Sequence, residues 1–213
     1  MDTFPVNLRL EERLCVIVGG GPVAERKVRS ILRCTEQVTV VSPDVTPGIA
    51  ELEGEGRVIH IREEYRAQHV REAFLVVATT GDPAANRAIS RDARANGAIV
   101  NVVDSRDDSD FIMPSVLRRG SLTIAVGTDG KSPAMARSIR QELEGQYGEE
   151  YGRLLDVLEP LRPELKVRVK DSEERKAFFY SLLHGGVLDM LRDGASEQDI
   201  QRRVEEFTSS SLG

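Results

Sequence analysis

The sequence predicts an α/β fold: a mostly parallel sheet covered by helices on both faces, followed by a linking segment and a small helical region. Three observations carry this. The first half holds five short, nearly continuous apolar runs separated by helix-like stretches, a glycine cluster directly follows the first run, and from about residue 149 the pattern becomes helical. Strands buried on both faces need unbroken apolar character rather than alternation. The spacings between them fit right-handed strand–helix–strand crossovers and hence a doubly wound sheet.

Strands are expected at 14–18, 38–41, 58–61, 75–78 and 99–103, each rich in valine, isoleucine or leucine. Between the first two, VAERKVRSILR can turn Val23, Val28, Ile31 and Leu32 inward while Arg26, Lys27 and Arg29 face outward. A further helix spans 83–96, where Pro83 suits a first turn and Gly97 an exit. After Asp104 the pattern changes. SRDDSD reads as a polar loop, FIMPSVLRRG as an apolar passage broken by Pro114, residues 122–126 as one more strand, and residues 133–143 as a helix entered through GTDGKSP. In the helical remainder, Asp171 with Glu174 and Ser196 with Asp199 have cap-box spacing, and Gly194 suits a stop between helices. The predicted organisation is a nucleotide-binding region over 1–112, a linking or pairing segment over 113–146 and a helical domain over 147–213, its last five residues frayed.

Composition narrows the partners. Against 29 basic residues stand 35 acidic ones, a net charge of −6, which argues against a general polyanion surface such as a nucleic-acid binder presents. No apolar run approaches a membrane span and the first dozen residues lack an export pattern, so a cytoplasmic chain is expected. Cys15 and Cys34 have no paired spacing and read as reduced thiols. His60, His69 and His184 are scattered without a cysteine companion, so no structural metal site is expected. Nor is there a G-x-S-x-G elbow to suggest acyl transfer.

The chemistry-bearing stretch is VGGGPVA. Gly19, Gly21 and Ala24 form G-x-G-x-x-A between a predicted strand and a predicted helix, the arrangement of a Rossmann-like dinucleotide site. The first glycine permits a tight turn, the second lets the backbone approach a pyrophosphate, and Ala24 keeps the helix close to the sheet. Helix-start N–H groups would face the phosphates. An acidic side chain for the adenosine ribose is missing from the end of the second strand. Ser42, or the backbone around Pro43 and Asp44, is the candidate replacement. Arg62 is only a remote candidate for a ribose phosphate and no basic residue follows that strand directly, which favours NAD over NADP. Thr79 and Thr80, just past the fourth strand, are candidates to line the crevice, with an ordinary turn and helix cap as the competing reading. Asn101 and Asp104 end the fifth strand, where a carboxylate raised by local burial could take a substrate proton. On the linking segment, Arg118, Arg119, Lys131, Ser132, Arg137 and Arg140 could receive a substrate with several carboxylates. A solvated amphipathic helix is the alternative.

Taken together, LCVIVGGGPVAERKVRSIL, ATTGDPAANRAI, NVVDSRDDSDFIMPSVLRRGSLTIAV and GTDGKSPAMARSIR resemble the precorrin-2 dehydrogenase/sirohydrochlorin ferrochelatase family, including the N-terminal part of multifunctional siroheme synthases. The distinctive matches run from about residue 5 to 145. That resemblance implies NAD-dependent oxidation of precorrin-2 to sirohydrochlorin, a homodimer with a cleft between subunits, and in some members insertion of ferrous iron, a transient substrate. It places Pro22 with Val23, and Pro43 with Asp44, on family nucleotide-binding positions and Asp104 on the family's catalytic aspartate. One departure concerns Gly127, where multifunctional members often carry serine. Dehydrogenase-only activity is therefore an alternative, and a nucleotide-binding tetrapyrrole sensor or carrier without turnover is the non-enzyme one.

Overall fold

The computed structural model describes residues 3–212, and the side chains of residues 3–209. It divides into two compact units, 1–113 and 114–213.

In the first unit, strands β1 (Cys15–Val18), β2 (Val38–Val41), β3 (Ile59–Ile61), β4 (Leu75–Ala78) and β5 (Ile99–Val102) form one parallel sheet in the order β3-β2-β1-β4-β5. Helices α1 (Pro22–Ile31), α2 (Pro47–Gly54) and α3 (Pro83–Ala95), with a 3₁₀ turn at Ala67–Val70, make the crossovers. Alternate residues of each strand enter different cores. Cys15, Ile17, Val38, Val40, Leu75 and Val77 pack with α1 and α2, whereas Val16, Val18, Val41, Val76, Ala78, Val100 and Val102 pack with Ile89 and Ala93 of α3. This double burial is why the strands read as continuous apolar runs. On α1 the fully buried positions are Ala24, Val28 and Ile31, so Ala24 replaces Val23 in the expected stripe. The expected strand limits at 14, 58 and 103 each shorten by one residue.

The polar SRDDSD loop has a structural task that its composition hides. It runs back beside β5: Val100 N–H donates to Asp110 Oδ2 at 2.9 Å, Asp110 N–H to the Val100 carbonyl at 2.7 Å, and Val102 N–H to Ser109 Oγ at 2.9 Å. Arg94 on α3 pairs with the same Asp110 at 2.8 Å. These groups occupy the backbone edge that a further strand would otherwise satisfy.

Cys15 is fully buried in β1, and burial, with Cys34 adding to it, pushes its thiol up to about 11. In the window from the ordinary thiol value of 9.0 up to about 11 the unfolded chain has released this proton while the native chain keeps it. Stability from this group is therefore complete below the window and falls as pH rises through it. Urea unfolding of wild type and Cys15→Ala across that range should show the steeper decline in wild type. Parallel slopes would refute the assignment.

The second unit opens with an antiparallel hairpin, β6 (Ser115–Arg119) and β7 (Leu122–Val126), of which sequence reading anticipated only β7. Pro114 breaks the apolar passage but precedes the strand, a position proline tolerates. Six helices follow: α4 (Pro133–Gln146), α5 (Glu150–Leu158), α6 (Leu161–Arg168), α7 (Ser172–Leu183), α8 (Val187–Arg192) and α9 (Glu197–Leu212). The last five share a core built on Leu154, Leu165, Phe178, Leu182, Leu191 and Ile200, while α4 packs on the hairpin. Asp171 caps α7 through Glu173 N–H at 2.6 Å, and Gly194 takes φ +76° between α8 and α9. The frayed end expected at 209–213 is corrected in part, because α9 continues to Leu212; Gly213 lies outside the described residues. Among the described residues no helix is long and apolar enough to cross a membrane.

Candidate functional site

The sheet order places β1 between β2 and β4, with the crossover from β3 passing over to β4. Chains therefore leave β1 and β4 in opposite directions, opening a crevice at their carboxyl ends, where open α/β sheets bind ligands. Gly19–Ala24 follows β1 at this edge and Thr79–Asp82 follows β4.

Each glycine has a different reason to be there. Gly19 has φ +116°, and a Cβ on it would lie 2.5 Å from Thr79 Oγ1. The Thr79 hydroxyl itself donates to the Val18 carbonyl at 3.0 Å, so the two turns interlock. A Cβ on Gly20 would lie 1.9 Å from the Asp44 carbonyl oxygen. Gly20 also accepts from Thr46 N–H at 2.9 Å, which draws the loop after β2 against the glycine turn. At Gly21 a Cβ would meet nothing of this chain within 4 Å. Its neighbours leave that space open, while α1 starts at Pro22 with no side-chain cap. In contrast, the other two α-helices of this unit, α2 and α3, are capped by Thr46 and Asp82. A pyrophosphate would supply what the α1 terminus lacks. The residues present thus fit a dinucleotide.

Gly20 was not among the sequence candidates, since G-x-G-x-x-A counts only the outer glycines. Its role is packing, and Gly20→Ala should show it: a shifted β2–α2 loop, a loss of about 2–3 kcal/mol and a melting temperature lower by about 5 °C. Unchanged melting would mean that the loop gives way freely.

Pro43 and Asp44 are exposed and Ser42 is half-buried beside the turn. Ser42 N–H donates to the Ile61 carbonyl at 3.1 Å, and the Ser42 carbonyl accepts from His60 Nε2 at 2.9 Å. Thr80 is committed within its own loop: its hydroxyl lies 2.7 Å from Asn86 Oδ1, and Asn86 Nδ2 donates to the Thr80 carbonyl at 3.1 Å. Asn86 is a buried side chain on α3, and nothing in its helical spacing foretells that it pins the crevice loop.

Asp104 stands two residues beyond β5, in a turn closed by Ser105 N–H to the Val102 carbonyl at 3.3 Å. Val103 N–H donates to the Ala78 carbonyl at 3.0 Å, so this turn joins Thr79 on the same sheet edge. Asp104 has φ +61° and is exposed. The local burial expected from sequence is not provided by its neighbours. Asn101 is buried, donating to the Phe111 carbonyl at 2.9 Å, and so serves the loop.

In the second unit the basic candidates separate. Arg119 Nε donates to the Tyr147 carbonyl at 3.0 Å and pairs with Glu149 at 3.5 Å, while Arg140 pairs with Glu144 on α4. Ser132 caps α4 through Met135 N–H at 3.2 Å. Arg118, Lys131 and Arg137 are exposed. Strand alternation puts Arg118 and its partner Thr123 on the hairpin face opposite Leu117, the buried face against which α4 packs. Arg118 therefore does not join the α4 cations within one hairpin face. Thr128 organises the α4 entrance, accepting from Ser132 N–H at 3.2 Å, and a Cβ on Gly127 would meet nothing within 4 Å. Serine would fit at 127 without strain. Among the described residues no group of three or more His, Cys, Asp or Glu is placed to hold a metal ion.

Fold and crevice define a Rossmann-like protein of dehydrogenase-type architecture. A family model described as "Putative NAD(P)-binding" matches residues 6–115, "Sirohaem biosynthesis protein central" matches 119–146, and "Sirohaem synthase dimerisation region" matches 150–206. The chain belongs to the siroheme synthase and precorrin-2 dehydrogenase family. It is 37% identical over 212 residues to a siroheme synthase of Nitrosomonas europaea, covering 98% of this chain and 45% of that protein. With a siroheme synthase of Thioalkalivibrio sulfidiphilus it shares 37% identity over 208 residues, 96% of this chain and 42% of the relative. It thus spans under half the length of these curated relatives. A solved structure of SirC, a precorrin-2 dehydrogenase, superposes with a TM-score of 0.75 at 28% identity, covering 97% of this chain and all of that one.

Proposed function

We propose that this chain oxidises precorrin-2 to sirohydrochlorin with NAD+ as the acceptor, working in the cytoplasm as a homodimer. The observation that carries the reading is the open, uncapped turn at Gly21 on the same sheet edge as Asp104. The full-length match to a precorrin-2 dehydrogenase structure supports it. Bound NAD+ would accept a hydride from the macrocycle. The chain's own residues have the remaining work. Gly21, Pro22, Val23 and Ala24 present the helix start to the pyrophosphate, and Ser42, Pro43 and Asp44 line the ribose side. Thr79 and Thr80 would line the nucleotide crevice. Asp104 takes the proton that leaves with the hydride, completing the removal of two hydrogens. Exposure in the lone chain suits that part, since the carboxylate stays accessible to a large substrate.

Arg118, Lys131 and Arg137 hold exposed charge for the carboxylates of the tetrapyrrole. Arg119, Ser132 and Arg140 order the segment from which these project. Ferrous iron would enter as a second substrate once sirohydrochlorin has formed.

The test is anaerobic: precorrin-2, NAD+ and the purified chain in metal-free buffer, with NADH and the macrocycle spectrum followed together. Equal amounts of NADH and sirohydrochlorin are expected. Binding of both ligands without product would instead mark a sensor or carrier, and turnover of another polyanion alone would mark a different dehydrogenase. Adding ferrous iron to the finished reaction then asks for siroheme. In solution the mass should be twice the 23.6 kDa of one chain; a monomer would remove the shared cleft from the proposal.

A further inference from the structure

Beside the crevice lies a cluster that the proposed chemistry does not use. Arg62 follows β3 directly, and β3 pairs with β2, so Arg62 stands next to the Ser42–Asp44 loop proposed for the ribose. Its guanidinium is gripped by Glu53 of α2 through two parallel bonds, Nη1 to Oε1 at 2.9 Å and Nη2 to Oε2 at 2.7 Å. The same carboxylate lies 3.4 Å from Nδ1 of His60, whose side chain is 1% exposed. Nε2 of His60 contacts the Ser42 carbonyl at 2.9 Å. Arg62, Glu53, His60 and the Ser42 backbone thus form one connected chain ending at the ribose loop. Planar, two-pronged pairing suits arginine to carboxylates and phosphates alike. The ligand Arg62 takes depends on which anion is nearer.

We propose that Glu53 sets the nucleotide preference of this chain, by holding Arg62 away from the place a 2′-phosphate would occupy beside Ser42. The inference rests on the nucleotide-binding reading of the crevice. On this reading a chain with no acidic side chain at the end of β2 would still disfavour NADP+. A loop bearing such a carboxylate repels the 2′-phosphate directly. Here the carboxylate sits one strand further out and removes the arginine that would attract that phosphate. Arg62 also holds the Glu53 carboxyl below the usual carboxylate range, with His60 adding to the effect, so the clamp stays ionised at neutral pH.

The chain has no tryptophan, so binding is best read by calorimetry, titrating NAD+, NADP+ and 2′-phospho-ADP-ribose into the full-length protein. Glu53→Gln keeps a side chain that can hydrogen-bond His60 Nδ1, through either its amide oxygen or its amide nitrogen, while removing the charge. It should raise NADP+ affinity relative to NAD+ by about tenfold or more. The gain should extend to 2′-phospho-ADP-ribose, which has no nicotinamide, and vanish in Glu53→Gln/Arg62→Ala. Glu53→Ala, checked by thermal melting, gives a second route to the same comparison. An unchanged NADP+/NAD+ ratio in both single variants, with NAD+ binding intact, overturns the clamp and leaves the nucleotide reading standing. A gain that survives removal of Arg62 overturns it too. Wild type that binds none of the three nucleotides removes the reading itself, and the proposal with it.

Discussion

Asp104→Asn should slow precorrin-2 oxidation by about 100- to 10,000-fold, the range by which a positioned acid or base accelerates proton transfer. NAD+ affinity and melting temperature should stay at wild-type values, because of two local facts. Asp104 is exposed, so no packed contact is lost, and its φ of +61° lies in the left-handed region that asparagine adopts more readily than most residues. Alanine there would add backbone strain of about 1–2 kcal/mol and blur the result. Asp107 supplies the control, being an exposed carboxylate of the same loop, and Asp107→Asn should leave the rate within about twofold, as surface changes away from the chemistry do. A rate for Asp104→Asn close to wild type, under conditions where chemistry limits turnover, would take the proton from Asp104 and give it to another group.

Gly21→Val should abolish measurable NAD+ binding, a loss of about 100-fold or more, with a stability loss of no more than about 1 kcal/mol from the poorer helix N-cap. Gly21 has φ −79° and ψ −176°, an extended conformation in which valine is unstrained, and its Cβ would enter open space. That space is where the backbone would meet the pyrophosphate. The neighbouring Gly20→Ala is the opposite case, since its Cβ meets the Asp44 carbonyl and the cost falls on the fold. The pair separates a glycine kept for a ligand from one kept for packing. If Gly21→Val melts normally and binds NAD+ as wild type does, the site lies elsewhere.

The sheet was legible because its strands obey a local rule. Val38–Val41 and Leu75–Ala78 begin and end where the apolar runs do, since both faces of these strands are buried and Thr39 is the single polar residue within them. Caps were legible for a similar reason: Asp171 acts on the N–H groups two and three residues ahead, and Ser196 on the one three ahead. The hairpin was half legible. Leu122–Val126 could be read alone, whereas Ser115–Arg119 carries two arginines and becomes a strand by pairing with it. Residues 171–194 look like one helical stretch, yet the structure divides them at Gly185 and Gly186, where Gly186 takes φ +85°.

The candidate site divides along the same line. The sequence by itself determined the alternation of strand and helix, the G-x-G-x-x-A turn after β1 and the placing of Asp104 just past β5, because each depends on neighbours a few positions away. Only the tertiary structure decided that Gly20 packs on Asp44, that Asn86 engages Thr80, that Arg119 is committed to Tyr147 and Glu149, and that Glu53 grips Arg62. A side chain's availability for a ligand depends on which partners the fold brings within hydrogen-bonding distance. Most of these come from other elements of the chain, and local spacing carries no record of them.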